Sequence, residues 1–201
     1  MISRPASAEH YDRDAARHAG RYSKARFEEV HAGILDFLPP MPGDILDVGA
    51  GIGRDAAALA GRGYRVTAVE PSRALRRQGQ ARYGEETIEW IEDCLPRLGS
   101  LRAAGRRFDF ILCSAVLMHV APGELAESFT AFADLLRPNG LLALSVRNKR
   151  ADDPPEIFFD LDDAAIEAAA KLAGFSLTKY HTGEDQLGRG DVTWRGFIFV
   201  H

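Results

Sequence analysis

The chain has 201 residues, 46% of them apolar and 27% charged, and a net charge of −4. That length fits one domain able to bury most of its apolar surface, and the net acidity offers no pull toward nucleic acid or acidic lipid. No apolar run reaches signal-peptide or membrane-spanning length, and Cys94 and Cys113 form no C-x-x-C pairing, which argues for a reducing cytosol and against a disulfide framework or a metal site.

Residues 1–40 differ in character from the rest. Between His10 and Tyr22, the side chains Tyr11, Ala15, Ala19 and Tyr22 recur near helical spacing. A second helix is expected over 25–37, with Phe27, Val30, Ile34 and Leu38 on one face. By spacing alone these are two amphipathic helices packing on a sheet edge. The run Pro39-Pro-Met-Pro-Gly43 is a turn leading into the first strand.

From 44 onward strand and helix alternate, which predicts a mostly parallel sheet covered on both faces. Strands are expected at 45–48, 65–69, 89–91, 108–113, 141–146, 176–181 and 193–200. Helices are expected at 54–60, 73–83, 122–136 and 162–173. Pro122 stands near a first helical position, and Pro138-Asn-Gly140 ends that helix and turns the chain into the next strand. Trp194 and Phe197 on the last strand are expected in the core.

The stretch Asp44-Ile-Leu-Asp-Val-Gly-Ala-Gly-Ile-Gly53 is the most informative. A strand runs into Asp47 and then into Gly49, Gly51 and Gly53, where the backbone can turn sharply and approach a ligand closely. The second strand ends at Glu70, about 20 residues beyond the loop, where a carboxylate suits a ribose diol. This pattern implies an adenosine-type cofactor. The dinucleotide fingerprint would need a third glycine where Arg54 stands, and Asp47 beside the loop would repel a pyrophosphate while welcoming a cationic amine.

With Asp47-Val-Gly-Ala-Gly-Ile-Gly53 and Val69-Glu70-Pro-Ser72, the sequence resembles the class I S-adenosylmethionine-dependent methyltransferases over residues 8 to 200. The resemblance implies one Rossmann-like α/β domain, with a seven-stranded, mostly parallel sheet whose last strand is antiparallel and helices on both faces. Residues 1–40 then form a helical lid over the 41–201 core, with Tyr11 and Tyr22 candidates for the cofactor's carboxylate. Asp47 and the backbone of Gly49, Ala50, Gly51, Gly53 and Arg54 should face the methionine end. Glu70 should hold the ribose, with Pro71 and Ser72 beside the adenine and Ser72 doubling as a helix cap. Asp93 should accept from the adenine amine, with Cys94 and Leu95 against the ring. Ser114 and Ala115 should contact the methionine part.

His119 resembles the Leu-x-His-Val pattern of small-molecule methyltransferases, where a histidine can take a proton during methyl transfer; its bland reading is a hydrogen-bonded core or cap residue. No Asn-Pro-Pro-Tyr motif occurs, which argues against nucleic-acid bases and protein glutamines as substrates. The expected acceptor is therefore a small molecule, with no membrane or nucleic-acid partner. Three rivals remain: transfer to protein or RNA, a non-catalytic adenosylmethionine-binding module, and a nicotinamide dehydrogenase. Arg147, Asn148 and Arg150 read as a solvated loop with Asp152 and Asp153, or as a site for an acidic substrate. Arg73, Arg76, Arg77 and Arg82 read as a solvated face paired with Glu85 and Glu86.

Overall fold

Seven strands form one sheet in the order β3-β2-β1-β4-β5-β7-β6: β1 Asp44–Val48, β2 Arg65–Val69, β3 Ile88–Ile91, β4 Phe108–Ser114, β5 Leu136–Arg147, β6 Ser176–Glu184 and β7 Thr193–Val200. This computed structural model describes residues 4–22, 25–84 and 87–201; the side chains of Arg21 and Tyr22, and both Glu85 and Glu86, lie outside the described residues. Strands β1 to β5 pair in parallel, and β7 inserts antiparallel between β5 and β6. The order reverses between β1 and β4, where the strands' carboxyl ends leave a crevice suited to a ligand.

Both faces of the central strands β1, β2 and β4 are buried, so these strands read as near-continuous apolar runs, while the edge strand β6 is mostly exposed. Along β1, Leu46 and Val48 join a cluster with Phe129, Phe132 and Phe175 beneath α7 (Leu125–Leu135) and α8 (Asp163–Leu172). Ile45 points the other way, to Leu59 and Ala56 of α4 (Arg54–Gly61) and to Phe27. By the same alternation Asp47 lies on the α4 face. Among the described residues no helix is long and apolar enough to cross a membrane.

The amino-terminal region is broken into shorter pieces than the spacing predicts. Helices α1 (Ala6–Arg13) and α2 (Ala15–Tyr22) both pack against α5 (Arg73–Tyr83). The helix expected over 25–37 is not continuous: α3 spans Phe27–Val30, and a 3-10 turn comes after it at Leu35–Phe37. Tertiary contacts account for the break. The His31 imidazole turns inward to Asp55 at 2.9 Å, and the Gly33 carbonyl accepts from Lys179 Nζ at 3.1 Å, an acceptor a longer helix would have used.

Three other elements differ from expectation. A short α6 (Gly99–Ala103) lies between β3 and β4. The helix expected from Pro122 opens with a 3-10 turn and becomes α-helical at Leu125. Strand β5 already begins at Leu136, so Pro138-Asn139-Gly140 lies within it, beside a register shift, with Asn139 at φ 63°.

Candidate functional site

The crevice between β1 and β4 opens into a cavity of about 490 Å³, lined also by Ser7, Tyr11 and His18 of α1 and α2. Its inner edge is the turn after β1. Gly49 and Ala50 both donate their N–H to the Val69 carbonyl, at 2.8 and 2.9 Å. Gly49 has φ 69°, and a methyl group there would collide with Val116, so only glycine fits. Gly51 donates its N–H to Glu70 Oε2 at 2.7 Å.

Glu70 is buried at the cavity edge, its Oε1 accepting the Ser72 N–H at 2.7 Å. Burial pushes its carboxyl up to about 7, against the pull of those two N–H groups. Ser72 itself caps α5 by accepting from Leu75 N at 3.2 Å, and its hydroxyl donates to Asp12 at 2.6 Å. Asp12 also accepts from Ala74 N at 2.9 Å and pairs with Arg4 at 2.5 Å. So the carboxylate of α1 caps the helix that comes after Glu70.

Asp47 is placed differently from the sequence expectation. Its side chain does not border the cavity; it is buried on the α4 face, where the Ala56 N–H bonds to it and Oδ2 meets no partner among the described residues. Burial, reinforced by Asp55, holds its carboxyl well above the usual range. Asp55 is the reverse case. Burial opposes its ionisation, but His31 at 2.9 Å and Arg54 at 2.7 and 2.8 Å hold it well below the usual range.

Of the other residues named from sequence, Tyr11, Ala50, Gly51, Arg54, Pro71, Cys94, Leu95, Ser114, Ala115 and His119 border the cavity; Gly53 and Ser72 do not. Tyr22 ends α2 and its side chain lies outside the described residues. Asp93 borders the cavity but also caps α6, accepting from Ser100 N at 2.8 Å, Leu101 N at 3.3 Å and Cys94 N at 2.9 Å. Burial raises the Cys94 thiol to about 11, so it is no nucleophile at neutral pH.

His119 ends a 3-10 turn after β4. Its Nδ1 lies 2.7 Å from the Ile157 carbonyl, which can only accept, so Nδ1 carries the proton. Nε2 is then a lone-pair site, and the Tyr11 hydroxyl donates to it at 3.1 Å. Burial lowers the imidazole to about 4, so it is neutral near pH 7. Tyr11 thus meets His119 in this structure. His18, Tyr11, His119 and Phe158 succeed one another in ring contact, with centroids 4.8, 5.5 and 4.4 Å apart.

Arg147 is buried rather than solvated, pairs with both oxygens of Asp153 at 2.7 and 2.8 Å, and lies 4.5 Å from the Phe158 ring centroid. Arg150 pairs with Asp191 at 2.7 Å. Arg76 pairs with Glu92; the glutamates expected from sequence, Glu85 and Glu86, lie outside the described residues. Trp194 is half-buried in the cavity wall, donating to Asp185 at 3.1 Å, while Phe197 is in the core as expected. Sequence reasoning missed Ser145, Phe158 and His181 in the lining. Ser145 carried a legible signal, a polar residue ending the apolar run Leu141–Leu144 at a strand's carboxyl end. Phe158 lies in a segment with no periodicity.

A profile of the methyltransferase-domain family matches residues 22–180. An uncharacterised methyltransferase of Mycobacterium bovis is 34% identical over 112 residues, 55% of this chain and 54% of that one. A ubiquinone biosynthesis O-methyltransferase of Methylobacterium sp. (strain 4-46) is 32% identical over 140 residues, 69% of this chain and 51% of that one. The chain spans about half the length of the curated relatives it matches. Magnesium protoporphyrin IX methyltransferase of Synechocystis PCC 6803, solved with bound S-adenosylhomocysteine, shares the fold with a TM-score of 0.66 at 20% identity, covering 86% of this chain and 79% of that one. The chain therefore belongs to the class I S-adenosylmethionine-dependent methyltransferase family. Its cofactor is S-adenosyl-L-methionine.

Proposed function

We propose that the chain transfers the methyl group of S-adenosylmethionine by direct displacement to a small-molecule acceptor held in the same cavity. The observation that carries this reading is Glu70: a buried carboxylate fixed from behind by Gly51 and Ser72, with lone pairs left for a ribose diol. Leu95, Asp93 and Cys94 would hold the adenine, and Gly49 to Gly51 with Ser114 and Ala115 the methionine part. Asp47 would act from beneath the loop: burial disfavours its ionisation, and a cationic amino group at short range would favour the carboxylate. The cofactor supplies an electrophilic methyl and keeps the sulfur electron pair as the acceptor bond forms.

A small acceptor is supported by the enclosure of the cavity by α1 and α2, a lid over the single core, and by its aromatic lining. The net acidity of the chain speaks against nucleic acid, and cysteines that form no disulfide suit a reducing compartment such as the cytosol. His119 would orient the acceptor's proton and take it as methyl transfer proceeds, directly or through Tyr11. General-base assistance of this kind is worth about 10²–10⁴-fold. His119→Phe should therefore lower turnover about 100-fold or more while leaving adenosylhomocysteine affinity within about two-fold. Equal turnover would remove His119 from the chemistry. Formation of adenosylhomocysteine from adenosylmethionine with a metabolite extract tests the activity itself, and its absence would favour a non-catalytic binding module.

A further inference from the structure

The floor of the cavity carries a polar row of which methyl transfer assigns only the first member, Ser114. Ser114 on β4 stands opposite Ser145 on β5, Ser145 opposite Gly196 on β7, and Gly196 opposite His181 on β6. Residues directly opposite in a sheet share a face. The side chains agree: the two serine hydroxyls are 3.1 Å apart, and a methyl group on Gly196 would collide with the His181 imidazole. All four residues border the cavity.

The imidazole thus lies across Gly196, folded back toward Ser145. Gly33 closes on it from the amino-terminal segment, where a methyl group would come 2.6 Å from Nε2. Two glycines far apart in sequence make a slot for one ring. Within that slot Nδ1 of His181 is buried and meets no partner among the described residues. His119 is the contrast, since both of its nitrogens are engaged. Strands lie about 4.8 Å apart, so the β6 backbone is roughly 14 Å from β4 and the folded ring closes about one interval of that. The remaining gap of about 10 Å suits a substituted ring.

We propose that His181 anchors the acceptor, with Nδ1 hydrogen-bonded to a neutral hydroxyl at the end remote from the methylated atom and Ser145 beside it. The proposal rests on the reading that the acceptor shares this cavity. A neutral group is specified because imidazole and serine hydroxyls both donate and accept. Three cations of the lining are already answered, Arg147 by Asp153, Arg189 by Asp185 and Arg195 by Asp163, and Lys179, outside the lining, donates to the Gly33 carbonyl. His181 acts here as a positioning residue that selects acceptors bearing that hydroxyl.

The test uses the full chain loaded with adenosylhomocysteine, ¹⁵N-labelled at histidine and titrated with hydroquinone or with anisole, which lacks a hydroxyl. Hydroquinone should move the His181 Nδ1 resonance, and anisole should not. His181→Phe should bind hydroquinone about ten-fold or more weakly and anisole unchanged, with adenosylhomocysteine affinity within two-fold; His181→Gln should recover part of the loss. The proposal is overturned if hydroquinone does not bind the wild type, binds His181→Phe equally well, or leaves Nδ1 unmoved. Failure of adenosylhomocysteine itself to bind would defeat the parent reading instead.

Discussion

Glu70 is gripped from behind by two backbone N–H groups, and burial raises its carboxyl to about 7. Donation from a ribose favours the carboxylate, so binding should expel the proton where it is still held. At pH 6 only about one molecule in ten is ionised, and adenosylhomocysteine should bind about ten-fold more weakly than at pH 8. Calorimetry across that range should lose this slope in Glu70→Gln. The stability of the free protein should follow pH with the opposite sign. The folded value lies above the unfolded value near 4.5, so this stabilising contribution is full below pH 4.5 and declines as pH rises to about 7, by roughly 3 kcal/mol. A flat difference in urea midpoint between wild type and Glu70→Gln across that window would refute it. Asp47 offers a second check. Its charge is penalised by burial, so Asp47→Asn should cost little stability by urea unfolding yet weaken adenosylhomocysteine binding about ten-fold or more. Acids 47 and 70 were legible because each ends a strand at a fixed offset from the glycines. That Asp47 sits beneath the loop was not, because the spacing does not say which face of β1 it takes.

At the level of elements, α1 is tied to the core by its own acid. Asp12→Ala removes the acceptor at Ala74, the partner of the Ser72 hydroxyl and the pairing with Arg4. Loss of a cap costs about 1–2 kcal/mol, and amide exchange should quicken across residues 6–22 while the sheet keeps its protection. Unchanged exchange there would show that Asp12 does not hold the helix. The strands and the helices after Gly53 were legible because apolar runs alternate with amphipathic stretches around clear caps. The region 25–37 was not, since its apolar spacing fits a helix while His31 and Gly33 are held by Asp55 and Lys179 from distant parts of the chain. Strand β5 hid its start for a related reason: Pro138-Asn-Gly140 reads as a turn, yet the Asn139 N–H is taken by His201 at 2.9 Å.

On the scale of the whole molecule, the reversal of strand order between β1 and β4 gathers the groups that line the cavity at one edge of the sheet. Ligands that bind only the folded state raise stability by RT ln(1 + [L]/Kd). Adenosylhomocysteine at a hundred times its dissociation constant should add about 2.7 kcal/mol, a rise of about 5–10 °C in Tm for a chain of this size, and NAD should add nothing. A rise with NAD alone would contradict the reading of the glycine loop. The strand order and the antiparallel last strand were legible only through resemblance, because periodicity does not fix the order in which strands pair. The side of the cavity proposed for the acceptor was hidden for another reason. It is assembled from Phe158, His181 and Trp194, which no local pattern links.

Ser72 has a consequence of its own. Its amide steadies Glu70 while its hydroxyl is held by α1 through Asp12. Thermodynamic reciprocity makes the two attachments speak to each other: whatever factor a docked nucleoside adds to closure of the entrance, closure adds to nucleoside retention. Severing the Asp12 tie should therefore weaken the grip on the spent nucleoside by the same factor that occupancy lends to the docking of α1.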